Sequence, residues 1–170
     1  MPTIDQLRTT EAACLRNAQQ LAREADILFN GGFFARAFFL ALTGIEELAK
    51  MVLTADARAG ARSHQEWQKA FRRHEQKFAL IAQIGSEHAY NPLERSLVEF
   101  YGSPIKPVRE SCLYVDSDTN GDPTAPDQLF DREAAEKAIR GLANHTLGVK
   151  YALLLPEGPT SKVLNALAHP

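Results

Sequence analysis

Cysteine is scarce in this chain of 170 residues. The two present, Cys14 and Cys112, are far apart and belong to no C-x-x-C pair, so neither a disulfide framework nor a thiolate zinc site is implied. Long apolar runs are missing too. The longest, Ala37 to Leu42, falls far short of the ~20 residues that cross a bilayer. The opening residues MPTIDQLRTTEA have neither the basic nor the apolar segment of a signal peptide. A cytoplasmic protein with no membrane partner is the expectation. There is no glycine-rich phosphate loop, no G-x-S-x-G elbow and no H-E-x-x-H, which leaves triphosphate hydrolysis, serine hydrolysis and zinc proteolysis without support. A net charge of −2 excludes a surface that is basic throughout.

What is present suits a globular protein: 45% apolar and 24% charged residues, with 10 Gly and 9 Pro. A chain of this size buries about 70% of its surface on folding, enough for a proper core. Charge is unevenly placed. Arg58 to Lys77 holds six Lys/Arg against Glu66 and Glu75, whereas Glu110 to Glu136 holds eight acids against Arg132. Any nucleic-acid contact is therefore expected in a local cleft on the basic stretch.

Helical periodicity dominates. Leu7, Cys14, Leu15, Ala18, Leu21, Ala22, Ala25, Leu28 and Phe29 form one stripe, predicting a helix from about Asp5 to Phe29. Asn30-Gly31-Gly32 ends it, and so short a link implies an antiparallel hairpin with a second helix over Phe33 to Ala57. A short stretch around Ser63 to Trp67 leads to a third helix, about Lys69 to Ser86, and Asn91-Pro92 opens a fourth. Beyond Pro104 and Pro107, Cys112 to Val115 reads as a short strand and Asn120-Gly121 as a tight turn. Asp131 caps a last long helix to about Leu155, and Ser161 to Ala168 forms a short tail helix. The fold class is all-α: an antiparallel helical bundle over residues 1–156 with a hairpin or loop excursion around residues 104–130, and a tail over residues 157–170.

The second helix is apolar around most of its circumference and should be central. Its exceptions, Arg36, Thr43, Glu46, Glu47 and Lys50, fall in one stripe about 100° wide, the helical angle of one residue step. That stripe either lines a cleft or is a solvent face carrying a Glu46–Lys50 pair worth a few tenths of a kcal/mol. The third helix favours the cleft. His74 and Lys77 project from the middle of its apolar face of Phe71, Phe78, Leu80, Ile81 and Ile84, with Arg73 at the edge. An ammonium on a core face costs several kcal/mol unless it is paired, so the carboxylates of the second helix are its expected partners.

The strings Gly44-Ile45-Glu46-Glu47-Leu48-Ala49-Lys50, His74-x-x-Lys77 and Arg109-Glu110-x-x-Leu113-Tyr114-Val115-Asp116 resemble the signature of the AbiV family of abortive-infection proteins. That family is a branch of the HEPN superfamily of helical, often dimeric domains, many of them metal-independent RNases. The resemblance implies a HEPN-like bundle, RNA as ligand, a homodimer, a phage-encoded protein trigger and no cofactor. It places a polar site at Glu47, Lys50, His74, Lys77 and Arg109, with Tyr114 and Asp116 beside it; Glu46 and Arg73, from the facing helices, join the candidate binding residues. In metal-independent RNA cleavage a general base takes the 2′-OH proton while cations hold the phosphate. His74 would be base or acid, Lys50, Lys77 and Arg109 would hold the phosphate, and Glu47 would orient His74 or a lysine. The superfamily's Arg, four to six residues, then His spacing occurs twice, at Arg140 to His145 and at Arg58 to His64.

Two further readings complete the sequence. Asp116-x-Asp118-x-Asn120-Gly121 with Asp127 imitates a calcium loop, but Pro123 interrupts it and no entering helix is predicted, so it reads as a solvated turn without metal. The final helix carries more apolar surface than one bundle face needs, Tyr151, Leu154 and Leu155 among it. A second chain or the tail could cover this surface. The competing function is a non-catalytic helical module that binds a partner protein.

Overall fold

Thr3 opens the first helix with a capping box: its hydroxyl accepts from the Gln6 N–H while the Gln6 side chain accepts from the Thr3 N–H. Helix α1 then runs over Ile4–Asn30 and buries Leu7, Cys14, Ala18 and Ala25, every third, fourth or seventh position of the expected stripe. Gly31 caps it and Gly32 takes a φ of +82°, turning the chain into α2, Phe34–Arg58. The computed structural model describes residues 2–85, 110–117 and 120–168. The helix expected after Asn91-Pro92 and the site residue Arg109 lie outside them.

Helix α2 is the axis of the molecule and contacts every other described helix. Leu42, Ile45, Leu48, Met51 and Leu53 are at most 1% exposed. Burial of each such side chain stabilises the fold by about 1.5–3 kcal/mol. Packing is tight at Gly44, where an added Cβ would lie 2.7 Å from a Leu142 methyl and 3.5 Å from the Ala18 carbonyl. Three helices converge there because one of them has no side chain.

The third helix differs from expectation. A capping box at Ser63 and Glu66 starts α3, His64–Arg72, and an extended Arg73 (φ −100°, ψ 121°) separates it from α4, His74–Gly85. No proline or glycine marks this break. Both helices pack on α2 and on each other, and the bend between them makes His74 a helix start rather than a mid-helix residue.

Cys112 to Val115 is not a strand. Residues 110 and 111 are helical, the Leu113 and Tyr114 N–H groups donate to the Glu110 carbonyl, and Cys112 is buried in the core. Pairing begins later, with β1 (Asp116–Ser117) antiparallel to β2 (Pro123–Thr124) and Gly121 at φ +87° in the turn. Only Cys112 of the apolar run is buried, Tyr114 and Val115 being exposed, and the polar residues beyond it form the hairpin. Then follow α5, Pro126–Leu129, and α6, Arg132–Ala152, whose cap Asp131 accepts from the Ala134 N–H at 2.8 Å. Helix α7, Ser161–Ala168, folds back against α2, α4 and α6. Val163 and Leu164 join the core, and buried Asp56 accepts from both the N–H and the hydroxyl of Ser161. Among the described residues no helix is long and apolar enough to cross a membrane.

Candidate functional site

The polar stripe of α2 splits between two neighbours. Glu46 faces α4: its Oε2 accepts from His74 Nδ1 at 2.8 Å and lies 3.1 Å from Lys77 Nζ. Glu46 and Lys77 are 3% and 2% exposed, whereas the His74 side chain is 45% exposed. A buried carboxylate thus neutralises a buried ammonium and also fixes a half-exposed imidazole. With Nδ1 donating to the carboxylate, the neutral ring carries its basic lone pair on Nε2.

Glu47 faces the other way. It pairs with Lys50 one turn along α2 and approaches Cys14 of α1. Burial, reinforced by the Glu47 charge, pushes the Cys14 thiol up to about 12, so this thiol is no nucleophile. Lys50 lies 5.5 Å from the centre of the Phe71 ring, a cation–π distance. The pair formed is therefore Glu47–Lys50, not Glu46–Lys50, and the carboxylate that reaches His74 belongs to Glu46 rather than Glu47. The sequence held a signal for this. Glu46 has Leu42, Ala49 and Leu53 at helical spacing around it, which turns it toward the interior.

The structure brings Glu46, His74 and Lys77 into contact, with Glu47 and Lys50 on the adjoining face of α2. Arg72 and Arg73, both exposed, immediately precede His74 at the bend. They put two guanidinium groups next to the imidazole in sequence. Lys77 is buried against Glu46. Tyr114 is 65% exposed and Asp116 is exposed in the hairpin. Among the described residues no group of three or more His, Cys, Asp or Glu has a metal-holding arrangement.

In both Arg–His spacings the arginine is paired with a carboxylate. Arg140, exposed, pairs with Glu136 one turn back on α6, and burial pushes the His145 imidazole down to about 4. Arg58 donates to buried Glu11 at 2.7 Å, and His64 stacks on Trp67.

A family model for AbiV, a HEPN family, matches residues 6–145. The chain belongs to the AbiV family. The match spans α1 to His145 of α6 and so includes Glu46, Glu47, Lys50, His74 and Lys77. No curated protein and no solved structure matches the chain. As an AbiV protein it combines the HEPN-type helical bundle with a short hairpin, and its buried carboxylate–ammonium pair lies between the central helix and α4.

Proposed function

We propose that this AbiV protein is an antiphage abortive-infection factor whose helical domain binds RNA at the α3–α4 bend and cleaves it without a metal. The observation that carries this reading is the buried Glu46 carboxylate bonded to Nδ1 of half-exposed His74, because a ring held in one tautomer and still reached by solvent is equipped for proton transfer. Nε2 of His74 takes the 2′-OH proton, O2′ attacks the adjacent phosphorus, and the bond to the 5′ oxygen breaks. That oxygen leaves as a 5′-hydroxyl with a proton from water, the water regains its proton from Nε2 of His74, and a 2′,3′-cyclic phosphate remains. Arg72 and Arg73 hold the phosphate and balance its developing charge. Glu46 is the positioning residue, and Lys77 holds it in place.

The test is cleavage of single-stranded RNA in EDTA by the wild type and by H74A. The expected loss is about 10²–10⁴-fold in rate for H74A, with the circular dichroism spectrum unchanged. Full activity in H74A would sink the assignment.

A second reading is favoured by a different observation. Leu147, Tyr151 and Leu154, spaced along one face of α6 and its continuation, are 53%, 59% and 80% exposed. Such a face suits a protein partner, and we assign it to a second copy of this chain, giving a homodimer. A purely protein-binding module would keep this contact and show no cleavage in the EDTA assay.

A further inference from the structure

Two charged side chains at the end of α2 hold the tail of the chain. Buried Asp56 accepts from the Ser161 N–H at 2.8 Å and from its hydroxyl at 3.0 Å. Arg58, itself held by Glu11 of α1 at 2.7 Å, donates to the Glu157 carbonyl at 3.4 Å. Between these two anchors Gly158, Pro159 and Thr160 are buried, and beyond them Val163 and Leu164 enter the core. An added Cβ on Gly158 would lie 2.7 Å from the Arg58 guanidinium, so the fit is close. The residues that lead into this clamp, Leu153 to Glu157, are all exposed. Three consecutive leucines, 42%, 80% and 41% exposed, thus stand in solvent between the end of α6 and a polar site built around the tail.

We propose that the tail is exchanged between two copies of this chain: residues 158–168 of one copy dock in the clamp of the other, whose own tail docks in return. This rests on the homodimer reading and supplies its mode of assembly. Closed and exchanged forms make the same tail contacts, so the linker decides between them. The closed form folds the linker back through a hydrogen bond from the Gly158 N–H to the Leu155 carbonyl at 2.9 Å and leaves the leucines wet. In the exchanged form that bond opens and Pro156 biases Leu155 toward extended backbone. The two linkers then pass side by side, and each covers the leucines of the other. Apolar area leaves water in the pair and not in the single chain, which favours exchange.

The test is the double variant Asp56→Cys with Ser161→Cys in the full chain, oxidised at micromolar concentration. It should run at twice the chain mass on a denaturing gel without reductant and at the chain mass with it, because the two introduced thiols meet across the pair. Co-expression of the two single variants should also give a covalent dimer, whereas wild type, whose Cys14 and Cys112 are buried, should stay unlinked. Absence of a covalent dimer in a protein that light scattering shows to be dimeric would overturn the exchange and leave the homodimer reading standing. A monomer by light scattering would overturn both. A second variant needs no new thiol: about six Gly/Ser residues inserted after Pro156 give each tail the slack to reach its own clamp, so the dimer should weaken about tenfold or more. A dimer unaffected by the insertion would likewise overturn the proposal.

Discussion

Glu46 and His74, 28 residues apart, are joined by a 2.8 Å hydrogen bond between Oε2 and Nδ1. The same oxygen lies 3.1 Å from Lys77 Nζ. One carboxylate therefore sets the orientation of an imidazole and answers a buried charge. These duties make opposite demands on mutation, since the proposed cleavage needs the carboxylate whereas stability needs only that no charge remain alone.

Lys77→Met should consequently destabilise the protein by about 3–5 kcal/mol, because it strands the buried Glu46 charge. The double substitution Glu46→Leu with Lys77→Met should recover most of that loss by removing both charges together. Urea unfolding of the three proteins measures this. A single variant within about 1 kcal/mol of wild type would mean that the pair is not desolvated.

Gly44→Ala isolates the helix convergence. On an exposed helix alanine would gain about 1 kcal/mol over glycine. Here the new methyl meets Leu142 at 2.7 Å, and Leu142 is itself wholly buried. Overpacking of this kind costs about 1–3 kcal/mol, so a net destabilisation is expected. Adding Leu142→Ala should cost less in the Gly44→Ala background than in wild type, which a double-mutant cycle on the unfolding free energies reads directly.

His145 makes stability depend on pH. Burial lowers its folded value from 6.5 to about 4, so between those values the unfolded chain binds a proton that the folded chain does not. Stability is fully present above pH 6.5 and falls as pH drops toward about 4, by at most about 3 kcal/mol. His145→Gln should flatten the unfolding midpoint over that window. An equally steep pH dependence in the variant would place the titration elsewhere.

The homodimer reading makes Leu154 decisive, since it is the most exposed large apolar side chain among the described residues. Wild type should run at twice the chain mass by light scattering at micromolar concentration, and Leu154→Asp should run at the monomer mass with its helicity intact. A wild-type monomer would assign the apolar end of α6 to some other role.

The sequence by itself determined the helices and their faces. The 3.6-residue stripes of α1, α2 and α6, the glycines after Asn30 and the Asp131 cap are local devices, set by backbone sterics and by unpaired end groups. The need for a carboxylate partner at His74 and Lys77 was equally legible, because a charge on an apolar face cannot stay unpaired. Only the tertiary structure decided which carboxylate it would be. Glu46 and Glu47 are neighbours about 100° apart on one helix, and the choice rests on which side of α2 receives α4 and which receives α1. The bend at Arg73 was decided at the same level. Nothing in Arg72-Arg73-His74 forbids a continuous helix, and the break exists because α3 and α4 pack together on α2. The clamp on the tail is likewise a product of assembly, since Asp56 and Ser161 lie 105 residues apart, and no local pattern records where they meet.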